Sequence, residues 1–316
     1  MKFWVGVTDN NWFKFQSSNQ ADEVNFWQPG GRPAFKSAPT GMPFLFKLKR
    51  PHNHIAGGGF FVTFTTLPLS LAWEIFGPKN GAKSIDDLRS LIAPLRSEVK
   101  LNDEIGCTVL SNCFYMDPAR WLPDPPGWSS NIVQGKGYDT NNPDCGVIWE
   151  SVRTYLEQVD EPQRLATGDG LGARTAEAPF LGSKYGNPSL VKPRIGQSAF
   201  RVLVTDAYNK RCALTGENTL VALEAAHIVP YSGEGNHDVQ NGLLLRADFH
   251  RLFDVGLVGV TPDLRIRVSP RIRETWFNGK AYYRLDGQPL AVVPNRPELR
   301  PNGDRLKWHL ENRFQS

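Results

Sequence analysis

Apolar positions in the second half of the chain follow first a helical spacing, then a strand-like run, then a helical spacing again. The segment Ile195 to Arg211 has apolar residues at helical intervals and predicts a helix. Leu220 to Val229 is mostly apolar and β-prone, and predicts a strand. Tyr231 to Asp238 is rich in turn-forming residues and predicts a loop. A short helix is expected from about Ala247, so the order is helix, strand, loop, apolar run and helix.

The first half of the chain contains short β-prone runs separated by turns. The runs FWVGVT, PFLFKLKR and GGFFVTFTTL predict strands, and the turn-rich stretch QPGGRPAF lies between two of them. Ser84 to Leu95 has a Ser cap and an acidic first turn, and predicts a helix, as does Gly146 to Gln158. The expected fold class is therefore α+β, with a compact N-terminal β-barrel and flanking helices.

The region from about Asp160 to Lys192 separates these two patterns. It is rich in Gly, Ala, Pro and charged residues, as in EPQRLATGDGLGARTAEAP, and has little apolar periodicity. A chain of 316 residues is long enough for two cores. We therefore expect a domain over 1–160, a linker over 161–192 and a second domain over 193–316.

Charge is distributed unevenly between these parts. The net charge is +4, and residues 190–316 hold 18 Lys and Arg against 13 Asp and Glu. A small basic excess in the second domain favours phosphate contacts there. The densest part is the cluster Arg265, Arg267, Arg271 and Arg273, which predicts a contact with the DNA backbone or, equally, an ordinary solvated hairpin face.

Cysteine usage and hydropathy bear on location and on structural metals. The four cysteines show neither dense pairing nor zinc spacing, and Cys212 is followed by Thr215 where a CxxC motif would need a second Cys. No structural zinc is expected. The first residues, MKFWVGVTDNNWF, are too polar for a signal peptide, and no apolar run has the length of a membrane span. These features predict a cytoplasmic protein without a membrane partner.

Candidate chemistry lies between Glu224 and Asp254. His227 falls near the end of the predicted strand, whereas His250 and Asp254 are four residues apart on one face of the predicted helix. Hydrolysis of a phosphodiester needs a base for water and a cation for the developing charge. His227 is the candidate base, His250 and Asp254 are candidate metal ligands, and Asn241 would orient the base or clamp the loop. Taken singly, each histidine is more often a structural residue.

This segment resembles the HNH endonucleases, in which a ββα-metal fold carries a His, an Asn and a His. The matching residues are His227, Asn241 and His250, and the stretches AAHIVPY, NGLLLRADFHRLFD and KWHLENRF extend the resemblance over about Pro193 to Phe314. The resemblance implies a one-metal catalytic site that uses Mg²⁺ or Mn²⁺, with Ni²⁺ and Co²⁺ as further options. Ala226 stands where many members have a metal-binding acid or His, so Glu224 or water would fill that position.

A looser resemblance covers about Met1 to Asp160. The segments FWVGVTDNNWF, NFWQPGG and FTTLPLSLAWEIFGPKNG are similar to the EVE branch of the PUA superfamily, whose members are thought to recognise modified cytosine by flipping the base into an aromatic pocket. It implies a PUA/EVE-like barrel. The candidate pocket residues are Trp12, Trp27 and Trp73 for stacking, and Asp9 and Asn10 for the base edge. Aromatic residues in a β-barrel are, however, more often core.

Together these expectations give a modification-dependent (type IV) restriction endonuclease. The first domain would recognise 5-methylcytosine or 5-hydroxymethylcytosine in double-stranded DNA, and the second would cut nearby. Because one HNH site cuts one strand, a double-strand break favours a homodimer or two successive nicks. Two alternatives remain open: a non-catalytic DNA-binding protein with a degenerate HNH scaffold, and an HNH nuclease directed to another modification.

Overall fold

The computed structural model describes residues 1–30, 38–96, 98–166, 193, 195–230 and 236–316, with the side chains of 160–166 excepted. The chain divides into two compact units, Met1–Arg194 and Ile195–Ser316. Both contain helices and strands, so the mixed α+β class is confirmed. In the part of the chain that is described, no helix combines the length and apolar character needed to cross a bilayer.

In its described residues, the N-terminal unit has one sheet and four α-helices. Its strands are β1 (Lys2–Thr8), β2 (Glu23–Gln28), β3 (Pro43–Leu48), β4 (Ile55–Pro68), β5 (Glu104–Tyr115) and β6 (Gly135–Asp139). Its helices are α1 (Asn10–Ser18), α2 (Leu69–Phe76), α3 (Ile85–Ile92) and α4 (Pro143–Ala166). The three β-prone runs of the sequence correspond to β1, β3 and β4, as predicted.

The sheet has the order β2-β5-β4-β3-β1-β6, with β1 and β3 parallel and the other neighbours antiparallel. Strands β2 and β6 lie at its two edges, and within the described residues they do not pair with each other. The expected closed barrel is therefore not confirmed. The long strands β4 and β5 pair with register shifts at Gly58/Phe60 and Phe61/Thr63, and such irregularities bend a strand and increase its local twist.

Both faces of this sheet are covered. Phe3 and Val5 of β1 pack on one face against Trp149 and Val152 of α4. On the other face, a second cluster contains Trp12 and Phe13 of α1 together with Phe44 and Phe46 of β3. Residues two apart on a strand point to the same face, so each strand contributes alternate side chains to each core.

Two predicted helices of this unit form, with different bounds. Helix α3 starts after Ser84, whose Oγ accepts a hydrogen bond from the Asp87 backbone N at 3.1 Å. Helix α4 is longer than the predicted segment and continues to Ala166, so residues 161–166 are helical where a linker was predicted. A helix can continue over polar residues that show no apolar face. The remainder of the predicted linker, 167–192, lies outside the described residues.

The C-terminal unit has the predicted succession of helix, strand and helix at its start. Its elements are α5 (Gln197–Ala207), β7 (Leu223–His227), β8 (Gly242–Arg246), α6 (Ala247–Asp254), β9 (Val258–Val260), β10 (Ile266–Val268), α7 (Arg271–Trp276), α8 (Lys280–Tyr283) and α9 (Gly303–Asn312). Strands β7 and β8 form one antiparallel pair, and β9 and β10 form another. The predicted strand is shortened because residues 220–222 form a 3₁₀ turn.

The core of this unit fixes the positions of α5, α6 and α9. Phe200 and Val204 of α5, Phe249 and Phe253 of α6, and Leu306 of α9 are all buried in one cluster. On α6, Phe249 and Phe253 are four apart, so they turn one face inward. His250 and Asp254, each one position further along α6, lie on the neighbouring face, outside this cluster.

Candidate functional site

Three of the candidate catalytic residues line one cavity of the C-terminal unit. His227 ends β7, where it pairs with Gly242 of β8, and α6 starts directly after β8 with His250 and Asp254 on it. A cavity of about 280 Å³ is lined by His227, His250 and Asp254. The strand pair and the helix thus bring together side chains that are separated by more than twenty positions in the sequence.

His227 is held in a neutral state. Its ring stacks on Phe200 with centroids 4.0 Å apart and an interplanar angle of 11°, and its Nε2 lies 3.1 Å from Nδ1 of His237. Burial, followed by the neighbouring His237 and His250, lowers the pKa of His227 to about 4. At neutral pH the imidazole is therefore unprotonated and has a lone pair available to accept a proton.

His237 is a site residue that the sequence interpretation missed. It lies in the turn that precedes the Asn241 segment, and its ring centroid is 5.3 Å from that of His227. Its position in the predicted loop Tyr231 to Asp238 was the signal available. A loop has no regular spacing from which the direction of a side chain could be predicted. Its hydrogen bond fixes which nitrogen of His227 is engaged.

His250 uses its two nitrogens for two carboxylates. Nδ1 lies 2.6 Å from Oε2 of Glu224, and Nε2 lies 3.4 Å from Oδ2 of Asp254. The two ring nitrogens direct their hydrogen or lone pair away from each other, so the two carboxylates lie on opposite edges of the ring. A cation bound at Nε2 would be within reach of Asp254. Glu224 Oε2 is thus engaged at the nitrogen that faces away from Asp254, and the role of Glu224 as a metal ligand stays a prediction.

His250 Nε2 and the Asp254 carboxylate are two of the donors that a hard or borderline divalent cation needs. An imidazole nitrogen and a carboxylate are donors that Mn²⁺, Ni²⁺ and Mg²⁺ accept. In the described ranges, no group of three or more His, Cys, Asp and Glu side chains has the arrangement of a metal site. His250 and Asp254 could thus supply two donors to a cation, and water or phosphate would have to supply the others.

Asn241 clamps the segment that follows His227. It is fully buried, its Oδ1 accepts from the Val229 backbone N at 2.9 Å, and its Nδ2 donates to Val229 O and Asn236 O, each at 2.9 Å. The amide thus ties Val229 to Asn236. Among the described residues its side chain bonds to backbone atoms, which fits a clamp and not a group that acts on substrate.

The basic cluster of the sequence does not line the cavity with His227. Arg265, Arg267, Arg271 and Arg273 are all exposed, on or beside β10 and α7. Arg265 pairs with Asp263, and Arg273 lies over the Tyr283 ring at 4.9 Å. The arginine in the cavity wall is instead Arg201 of α5. The sequence pattern does not single out Arg201, because the apolar spacing of Ile195 to Arg211 predicts a helix and assigns no role to its polar residues.

A larger cavity lies in the N-terminal unit. It has a volume of about 1020 Å³ and is lined by Asp9, Trp12 and Trp27 together with Lys49 and apolar side chains such as Phe26 and Leu91. This volume is at the upper end of the range for ligand pockets. The cavity thus combines three of the five residues expected to form an aromatic pocket. Asn10 and Trp73, the other two, are not among its lining residues in the described part of the chain.

The polar residues of this cavity are held in place. Oδ1 of Asp9 accepts from the backbone N of Asn11 and of Trp12, at 3.0 and 3.2 Å, and Oδ2 lies 3.2 Å from Nζ of Lys49. Burial alone would raise the pKa of Asp9, but the bond from Trp12 and the nearby Lys49 bring it below its usual value. Asp9 is therefore an ionised acceptor in the cavity wall.

Trp12 and Asn10 are both engaged by neighbouring residues. Trp12 is 4% exposed and contacts the rings of Phe26 and Phe46 edge-on, at 5.4 and 5.5 Å, so it is a core residue that borders the cavity. Asn10 donates to Arg50 O at 3.1 Å and accepts from Lys49 N at 3.0 Å, which engages both ends of its amide. Trp27 is partly exposed, with Nε1 donating to Asn80 O at 2.9 Å, and remains the aromatic candidate.

Comparison with known proteins identifies the C-terminal unit. Residues 212–261 match the family model described as HNH endonuclease, so this unit contains an HNH endonuclease domain and the chain is a nuclease. No curated protein matches the chain. A solved structure described as a modification dependent TagI restriction endonuclease is similar at 14% identity, covering 94% of this chain and 76% of the other. Its TM-score of 0.28 is too low to support an argument about fold or function.

Proposed function

We propose that this chain is a modification-dependent DNA endonuclease in which the N-terminal unit recognises a modified cytosine and the C-terminal unit hydrolyses the backbone nearby. The observation that carries the nuclease half is the shared cavity of His227, His250 and Asp254 within the matched domain. The division into a reader over 1–160, a linker over 161–192 and a nuclease over 193–316 is part of the proposal.

In the nuclease unit, His227 is the proposed general base. Its neutral ring takes a proton from the attacking water. Asn241 holds the backbone of Val229, two residues after His227, in place. His250 through Nε2 and Asp254 through its carboxylate are the proposed metal ligands. The divalent cation, Mg²⁺ or Mn²⁺ with Ni²⁺ and Co²⁺ as further options, would stabilise the charge on the phosphate and the leaving oxygen.

Glu224 is proposed to act through His250. By accepting a hydrogen bond from Nδ1, it keeps the proton on that nitrogen and leaves the Nε2 lone pair for the cation. Carboxylate partners of this kind orient metal-bound histidines and raise their basicity. Ala226 has no ligand group, and water would complete the metal's coordination.

Arg201 is proposed to contact the phosphate in the cavity. A guanidinium can bind a phosphate through two parallel N–H groups. The exposed cluster of Arg265, Arg267, Arg271 and Arg273 remains a proposed contact for the flanking duplex, at a distance from the reacting bond.

In the N-terminal unit, the cavity beside Trp27 and Asp9 is the proposed base pocket. Extruding a base costs a few kcal/mol of stacking and pairing, and contact with an aromatic face offsets about 1–3 kcal/mol. Asp9 is an ionised acceptor that suits the exocyclic amine of 5-methylcytosine or 5-hydroxymethylcytosine. The proposed substrate is double-stranded DNA, and a homodimer would place two such nuclease sites on the two strands.

The test uses methylated and unmethylated copies of one plasmid, incubated with the protein and Mg²⁺ or Mn²⁺, with EDTA as the control. We expect the methylated plasmid to be cut and the unmethylated one to be spared. Equal cutting of both would reject the reader role and leave the nuclease intact. Binding of methylated DNA without cutting under every metal condition would favour the non-catalytic alternative. A preference for another modified base would favour an HNH nuclease directed to that modification.

The base assignment is tested with His227→Ala. The variant should lose cleavage yet retain the affinity of the wild-type protein for methylated DNA, since the proposed reader lies in the other unit. Cleavage by the His227→Ala variant at the wild-type rate would refute the assignment.

A further inference from the structure

The buried His309 of α9 lies against the end of the helix that carries His250 and Asp254. Its side chain is 2% exposed, its Nε2 lies 3.0 Å from the backbone O of Phe253, and its ring stacks on that of Phe253 with centroids 3.8 Å apart. A carbonyl oxygen only accepts hydrogen bonds, so Nε2 must carry the hydrogen. His309 therefore anchors the residue that directly precedes Asp254.

The second nitrogen of His309 is a buried acceptor. Burial, opposed by the bond to Phe253 and assisted by Arg313, lowers the pKa of His309 to about 4, so the ring is neutral. With the hydrogen on Nε2, Nδ1 has a lone pair, and it has no hydrogen-bond partner among the described residues. A buried polar atom left in this state destabilises the folded protein.

A cavity connects His309 to the candidate catalytic residues. Its volume is about 250 Å³, and His309, His227, Asp254 and Arg313 are among its lining residues. The walls are polar in part, and the space is ample for water. The Asp254 carboxylate and Nδ1 of His309 are both acceptors, and one water molecule has two O–H groups to donate, one to each.

The chain that follows α9 is fastened to the same end of α6. Gln315 donates from its backbone N to Gly256 O at 2.8 Å and from its Nε2 to Val255 O at 2.7 Å. A Cβ on Gly256 would lie 1.9 Å from the backbone O of Arg313, so the two segments are in close contact. His309 thus contacts the residue before Asp254, and Gln315 bonds to the two residues after it. These contacts hold the His309 side of the cavity in place.

We propose that His309 is a positioning residue of the nuclease site, which binds through Nδ1 a water molecule that also donates to Asp254 and so orients that carboxylate. The role rests on the proposed metal site, since it acts through a proposed ligand. Residues that support a ligand in this way usually change metal affinity by about 10- to 100-fold when they are replaced.

The two nitrogens can be separated by substitution. In His309→Asn, the amide oxygen falls near the position of Nδ1 and can accept from the water, but the group at Nε2 is lost. In His309→Gln, an amide nitrogen near the position of Nε2 can still donate to Phe253 O, but the acceptor at Nδ1 is lost. Leu306→Ala, one turn earlier on α9 and fully buried, is the control for general loss of packing.

The measurements are the affinity for Mn²⁺ by titration calorimetry and the Tm of each full-length variant. We expect His309→Gln to bind Mn²⁺ about tenfold more weakly than wild type and His309→Asn to stay closer to wild type. Leu306→Ala should lower the Tm without changing the Mn²⁺ affinity. The proposal would be overturned if His309→Asn bound Mn²⁺ as weakly as His309→Gln or more weakly. It would also be overturned if Leu306→Ala lost as much Mn²⁺ affinity as His309→Gln.

The same titration separates this proposal from the proposed function. If the wild-type protein bound no Mn²⁺ and cut no DNA, the metal site itself would be rejected, and the role of His309 with it. If the wild-type protein bound Mn²⁺ and both His309 variants bound it equally well, only the role of His309 would fall.

Discussion

Asn241 shows how one buried amide holds the backbone that lies two residues after His227. Replacing it with Ala removes three hydrogen bonds and leaves buried backbone groups at Val229 without their partner. We expect Asn241→Ala to lower the free energy of unfolding by about 3 kcal/mol, as measured in urea. Asn302→Ala is the matched control, because it removes the cap of α9 and should cost about 1 kcal/mol. Similar losses in both variants would argue against the clamp.

Glu224 offers a way to distinguish a partner of His250 from a ligand of the cation. The amide oxygen of Glu224→Gln can still accept from Nδ1, so Mn²⁺ affinity should fall by no more than about tenfold. Asp254→Asn is the comparison, since a direct ligand that loses its charge should weaken binding much more. Calorimetry on the two variants checks this order, and a loss of Mn²⁺ affinity in Glu224→Gln as large as that in Asp254→Asn would favour Glu224 as a direct ligand.

At the scale of single residues, sequence spacing could predict only part of the site. His227, His250 and Asp254 follow from a strand, a helix and the four-residue interval on one helix face. Glu224 contacts Nδ1 of His250 and not Nε2 because of the directions in which the two side chains point. Sequence spacing does not encode those directions. His309 lies far along the chain, and only packing of α9 on α6 brings it to Phe253. Such contacts between distant elements need the tertiary structure.

At the scale of elements, the end of α6 depends on glycine at position 256. Gly256 has a φ of +75° and touches the chain at Arg313, whereas Gly216 has a similar φ of +71° with its nearest neighbour, the Cβ of Ala291, at 3.8 Å. Ala at either position adds backbone strain of about 1–2 kcal/mol. Only Gly256→Ala adds a collision with backbone, so it should lose about 1–3 kcal/mol more. Urea unfolding of both variants measures the difference, and equal losses would mean that the segment after α9 moves aside freely.

The elements themselves were largely predictable, and their assembly was not. The apolar periods gave α5, β7 and α6 in the correct order, and the Ser84 cap marked the start of α3. Helix α4 passes its predicted end because polar residues can continue a helix without an apolar face. Closure of the sheet depends on whether β2 meets β6, and these strands are separated by more than a hundred residues. Local pattern contains no information on such a pairing, so neither the β-prone runs nor the looser resemblance could establish that the sheet closes into a barrel.

At the scale of the whole molecule, the proposal assigns substrate choice to one unit and bond cleavage to the other. Each unit has a core of its own, so a substitution in the large N-terminal cavity should leave the packing around His227 unchanged. Substitutions that affect recognition and those that affect hydrolysis should then differ in their kinetic effects. Loss of recognition would weaken binding of the modified duplex, while loss of His227 would lower the rate after binding.

Trp27 and Trp73 make a matched pair for this division. Both are partly buried tryptophans of the N-terminal unit, but only Trp27 lines the cavity in the described part of the chain. Because a stacked base is worth about 1–3 kcal/mol, Trp27→Ala should weaken binding of methylated duplex about tenfold or more while binding of unmethylated duplex stays constant. Trp73→Ala should leave both affinities near wild type. Fluorescence anisotropy with the two duplexes measures this, and a loss confined to Trp73→Ala would move the pocket from the Trp27 cavity to the surroundings of α2.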